Sequence, residues 1–118
     1  MTKDYVALAN DLTAALGKLG KSQSGMMAGF QSLMKASTAD GALSPKFKEL
    51  IALGIAVAAR CDGCIAFHTK KLVTLEVTAE EFAETLAMAV YMGGGPSLMY
   101  AADALIAYEQ FTGQDWPA

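Results

Sequence analysis

Charge is scarce in this sequence: Asp, Glu, Lys and Arg make up 18% of its 118 residues, against about 25% in an average soluble domain. The charges that are present sum to −3, with acids and bases interspersed. No basic block occurs, so nucleic acid is not an expected partner. No Gly/Ser linker, internal repeat or low-complexity tract divides the chain, and its length fits one domain over residues 1–118. An uninterrupted apolar stretch is also missing near the start, where Lys3, Asp4 and Asp11 fall. No signal peptide is therefore expected. The longest charge-free run, Thr85 to Ala102, is long enough to raise the question of a membrane span. Gly93-Gly94-Gly95-Pro96 breaks it, so no membrane association is expected. These features predict a cytoplasmic protein. In that compartment a cysteine pair is more often catalytic or metal-binding than a structural staple.

Apolar residues, in contrast, are plentiful at 53%. That excess predicts either apolar surface covered by other subunits or simply a rich core. Ala, Leu, Met, Glu and Lys dominate and alternating strand patterns are few, which predicts an all-α fold of about six helices. The first is expected from about Asp4 to Leu19, ended by Gly20 and the Ser22–Gly25 stretch. The second runs from about Met26 to Ala36. Ser44-Pro45 is a start signal for the third, because Ser caps a free N–H and Pro suits the first turn. That helix runs to about Arg60. It is apolar all round from Leu50 to Ala59, which predicts a central, buried position. A fourth helix starts near Asp62-Gly63 and runs to about Leu75. Thr78-Ala79-Glu80-Glu81 matches a capping box and opens the fifth. Gly93 ends it, Gly95-Pro96 opens the sixth, and an irregular tail from Gly113 follows. The seven methionines are expected to fill gaps in the core.

The chemistry centres on the two cysteines, which form Cys61-Asp62-Gly63-Cys64. This spacing permits a local disulfide and often lowers the pKa of one thiol. Cys64 falls in the expected first turn of the fourth helix, where free N–H groups favour a thiolate. His68, the single histidine, lies four residues later and so on the same helical face as Cys64. There it can take the thiol proton or stabilise the thiolate; it can equally be a packed core residue. Glu49 just precedes the uncharged run Leu50–Ala59. It is either a buried carboxylate or a solvated first-turn residue favoured by the helix dipole. On one straight helix it would sit about 18 Å from Cys61, so reaching His68 requires a helix crossing or a neighbouring subunit. The chemical rival is zinc, with Cys61, Cys64 and His68 as ligands and Glu49 as a fourth, although a second Cys/His pair is missing.

Glu49, eleven residues, Cys61-x-x-Cys64, three residues and His68 together form a pattern that resembles the AhpD-like family, alkylhydroperoxidases related to carboxymuconolactone decarboxylases. Tyr91-Met92-Gly93-Gly94-Gly95-Pro96 is also similar to the region after that family's core, and the likeness spans about Pro45 to Phe111. The resemblance implies an AhpD-like helical bundle and a homo-oligomer, commonly a trimer or hexamer. It further implies a peroxidase or disulfide reductase with no bound cofactor. Cys64 would attack the peroxide, Cys61 would resolve the product as a disulfide, and His68 and Glu49 would relay protons. An external dithiol, a lipoyl group in some relatives, would restore the pair. Some members carry a histidine beside the attacking cysteine where this chain has Gly63. The decarboxylase relatives generally lack the dithiol. The expected function is thus a thiol-dependent oxidoreductase acting on a small hydroperoxide or disulfide. The alternative is a non-catalytic zinc-binding or redox-sensing oligomeric module.

Overall fold

The computed structural model describes residues 2–117, and it contains six helices and no strand among them. Helix α1 (Tyr5–Ser22) starts where the Asp4 carboxylate accepts the Ala7 N–H at 2.9 Å. Helix α2 (Ser24–Thr38) follows after the single residue Gln23. Gly20, expected to end the first helix, instead lies inside α1. Its lack of a side chain leaves room for Met27, whose Cγ would stand 3.3 Å from a Cβ at that position. Glycine lowers helix stability without forbidding helix, and here a close helix–helix approach uses it.

Helix α3 (Pro45–Ala58) is capped by Ser44, whose hydroxyl accepts the Phe47 N–H. It packs against α4 (Asp62–Thr74), α5 (Ala79–Gly93) and α6 (Gly95–Thr112). Its inner face buries Leu50, Leu53, Ala56 and Val57. The position is central as expected, but the burial is one-sided: Ile51 and Ile55 are exposed. The methionines also depart from expectation. Met26, Met34, Met88, Met92 and Met99 are all exposed, and Met27 is half-buried; Met1 lies outside the described residues.

The capping box at Thr78 is present in full, with the Glu81 N–H donating to the Thr78 hydroxyl and the Thr78 N–H to the Glu81 carboxylate. Gly94 alone separates α5 from α6, at φ 74° and ψ −154°, a conformation open to glycine. The tail after α6 is irregular but packed. Trp116 stacks edge-on against Phe82 and Tyr108, and its backbone N–H donates to the Glu109 carboxylate at 2.7 Å. No helix among the described residues is long and apolar enough to cross a membrane.

Candidate functional site: a dithiol at a helix start, backed by His68 and Glu49

The site is built by the way α3 ends. Arg60 adopts a left-handed conformation, φ 59°, so the chain reverses there. The Cys61 N–H then donates back to the Ala56 carbonyl at 3.0 Å and the Arg60 N–H to that of Val57 at 3.2 Å. This pair of bonds is the Schellman arrangement, with arginine where glycine is usual. The reversal sends α4 back against α3, and Cys61 becomes the N-cap of α4.

Cys61 and Cys64 are joined as a disulfide with their Cα atoms 5.2 Å apart. The Cys61 sulfur accepts the Cys64 N–H at 3.2 Å. Cys64 does lie in the first turn of α4, as expected. The sulfur that receives a free helix N–H, however, is that of Cys61. Placement in a first turn does not decide which side chain reaches back to cap it; the extended backbone of the N-cap residue does.

Glu49 and His68 meet. His68 Nδ1 lies 2.6 Å from Glu49 Oε2, within one chain. Glu49 is 7% exposed, so the buried reading of this carboxylate holds and the solvated one does not. An ionised carboxylate only accepts hydrogen bonds, so the Nδ1 facing it carries the hydrogen. In the neutral ring this leaves the Nε2 lone pair available as a base. Cys64 and His68 share a face of α4, one turn apart.

Some neighbours of the dithiol had no signal in the sequence. Lys3 Nζ donates to Asp62 Oδ1 at 3.1 Å and to Asp103 Oδ2 at 3.0 Å, and it sits over the Tyr100 ring. Asp103, then Asp62, hold the Lys3 ammonium above the ordinary lysine range against the opposing effect of burial. The Gln110 side chain clasps the same N-terminal segment, accepting from the Tyr5 N–H and donating to the Lys3 carbonyl, each at 2.7 Å. The N-terminal segment is thus tied to α6 and to Asp62, one of the two residues between the cysteines. Separations of 59 to 107 residues hide these contacts from any local pattern.

Gly63 has a steric reason. A Cβ there would stand 2.8 Å from Leu12 Cδ1 of α1, so a larger residue requires Leu12 to move. The zinc reading gains no support from this geometry. The cysteines are bonded to each other, His68 Nδ1 is engaged by Glu49, and no group of three His, Cys, Asp or Glu among the described residues is arranged to hold a metal ion.

The family model for the carboxymuconolactone decarboxylase family matches residues 25–107. The chain belongs to that family. A crystal structure of an apo carboxymuconolactone decarboxylase family protein from Legionella pneumophila superposes with a TM-score of 0.90 at 56% identity, covering 92% of this chain and 96% of that one. An uncharacterized protein of Cupriavidus necator is 42% identical over 109 residues, 92% of this chain and 96% of its own length. An uncharacterized protein in the cox locus of Paracoccus denitrificans is 32% identical over 101 residues, covering 86% and 91%. The all-helical AhpD-like fold expected from the motif is the fold observed, and the family includes enzymes.

Proposed function

We propose that this carboxymuconolactone decarboxylase family member is a thiol-dependent peroxidase that reduces small hydroperoxides through Cys64 and Cys61. The observation that supports it most is the 2.6 Å pairing of His68 with Glu49 one helical turn from Cys64. A histidine oriented by a buried carboxylate is a base held ready for the adjacent thiol.

His68 takes the Cys64 proton. The Cys64 thiolate attacks the terminal peroxide oxygen, a sulfur–oxygen bond forms and the oxygen–oxygen bond breaks. The departing alkoxide takes the proton from His68 and leaves as an alcohol. Cys64 has then lost two electrons and is a sulfenic acid. The Cys61 thiolate attacks the Cys64 sulfur, and hydroxide leaves with the Cys61 proton as water. The disulfide formed is the state seen in the structure. An external dithiol, such as a lipoyl group in the reducing cytoplasm, returns two electrons and two protons by exchange. A disulfide substrate would use the same pair in the reducing direction.

The test is the rate of NADH-coupled hydroperoxide reduction with a lipoyl dithiol as donor, for wild type and Cys64→Ser. Turnover that disappears in the variant supports the reading. Equal turnover in both contradicts it.

A further inference from the structure

The acid nearest the dithiol is engaged. Asp62 stands between Cys61 and Cys64, and a bare carboxylate there repels any anion that approaches the pair. Lys3 Nζ lies 3.1 Å from Asp62 and 3.0 Å from Asp103, so one cation from the N-terminal segment serves both carboxylates.

Arg60 lies on the other side of Cys61, its Cα about 3.8 Å from that of the cysteine. It is exposed. The ion pairs among the described residues engage Lys3, Lys46 and His68, and none engages Arg60. Asp62 is the acid closest to Arg60 in sequence, and Lys3 takes it, which leaves the guanidinium facing solvent. The backbone beneath it is fixed by the left-handed turn and by the two bonds that close α3. Glu76 has the same φ of 59° past the far end of α4, away from the dithiol, so the conformation by itself assigns no role. What sets Arg60 apart is a permanently charged, planar fork next to a reactive pair. Such a fork binds carboxylates through paired N–H donors.

We propose that Arg60 is a specificity-determining residue of the dithiol, favouring a substrate or reductant that carries a carboxylate, and that Lys3 supports it by neutralising Asp62. The inference rests on Cys61 and Cys64 being a working dithiol and narrows its substrate to anionic molecules. A hydroperoxide or disulfide of this class sets its carboxylate on the guanidinium while its reactive bond meets the pair. At about 6 Å in a water-like dielectric, one pair of unit charges changes a rate by about threefold. Arg60 also lies at the C-terminal end of α3, where a cation gains from the helix dipole. That gain stabilises the fold and does not discriminate between substrates.

The test is thiol–disulfide exchange of the reduced full chain with two aromatic disulfides. One is dithiobis(nitrobenzoate), with a carboxylate on each ring; the other is neutral dithiodipyridine. In each reaction one cysteine thiolate displaces an aromatic thiolate and the second cysteine displaces the other. The pair loses two electrons and two protons, and the probe gains them as two aromatic thiols. The readout is the ratio of the anionic to the neutral rate. The thiolate fraction enters both rates alike, so a merely structural change leaves the ratio where it is.

Arg60→Gly is expected to lower the ratio about threefold, and Arg60→Lys, which keeps the charge, to hold it near wild type. Lys3→Met is expected to lower it, and Asp62→Asn in the same chain to restore it. Rising salt should bring the wild-type ratio toward that of Arg60→Gly. The Arg60 side chain is exposed, so its loss leaves the fold intact, and circular dichroism checks each variant. An Arg60→Gly ratio equal to wild type, or an Arg60→Lys ratio as low as that of Arg60→Gly, overturns the inference. A Lys3→Met ratio equal to wild type overturns the part assigned to Lys3. Exchange with both probes no faster than that of free cysteine overturns the dithiol reading itself, and this inference with it. No hydroperoxide enters the assay, so a failure of peroxide reduction is read separately.

Discussion

Glu49 Oε2 and His68 Nδ1 stand 2.6 Å apart although nineteen residues separate them in sequence. The contact fixes the imidazole with its hydrogen toward the carboxylate and its lone pair on Nε2. His68→Ala is therefore expected to slow oxidation of Cys64 by about 100-fold at neutral pH, the lower end for a general base. Above about pH 8.5 an ordinary thiol ionises unaided, so the gap between variant and wild type should narrow as pH rises. Stopped-flow peroxide reduction across that range measures it. A gap that stays constant with pH would assign His68 a role in shape alone.

Cys61 caps α4 with its sulfur. Serine is a strong N-cap and alanine is not, so under reducing conditions Cys61→Ala should be less stable than Cys61→Ser by about 1 kcal/mol. Urea titration of both variants reads this directly.

Arg60 holds a left-handed backbone that costs an L-residue about 1 kcal/mol or more. Arg60→Gly removes that cost at the turn that presents Cys61. The variant is expected to gain about 1 kcal/mol, a rise of roughly 4 °C in Tm for a chain of this size. A loss of stability would mean that the arginine side chain secures the turn.

Glu81 links the starts of two helices, accepting from the Thr78 N–H and pairing with Lys46 at 2.9 Å. The Thr78 N–H, then the Lys46 ammonium, hold its carboxyl below the ordinary glutamate range. A depressed carboxyl stabilises the fold above its ordinary pKa, and that share is lost as pH falls through the lowered value. Glu81→Gln should melt below wild type at pH 7, and the two melting curves should converge as the carboxylate protonates, below about pH 4. Melting temperatures from pH 7 to pH 3 measure the convergence.

Local signals carried much of the fold. Ser44-Pro45, the Thr78–Glu81 box and Gly93-Gly94-Gly95-Pro96 each mark a helix boundary that is present in the structure. The chemistry of the pair was equally local, since Cys61, Cys64 and His68 lie within two turns. The meeting of Glu49 with His68 was not, because spacing along α3 does not reveal a reversal made by a left-handed arginine. Lys3, Asp103 and Gln110 were hidden by sequence distance. Gly20 misled because a helix tolerates glycine where another helix packs close. The methionines and Ile55 misled for a different reason: apolar character records how much surface avoids water, and a groove between helices holds it as well as a core does.

The most direct measurement is the loss of free thiols when the reduced protein meets one equivalent of a small hydroperoxide, with no added reductant. Two thiols should vanish per peroxide consumed, at a rate far above that of free cysteine, and Cys64→Ser should fall to the free-cysteine rate. Thiols lost in the wild type no faster than free cysteine would contradict a peroxide-reducing dithiol at this site.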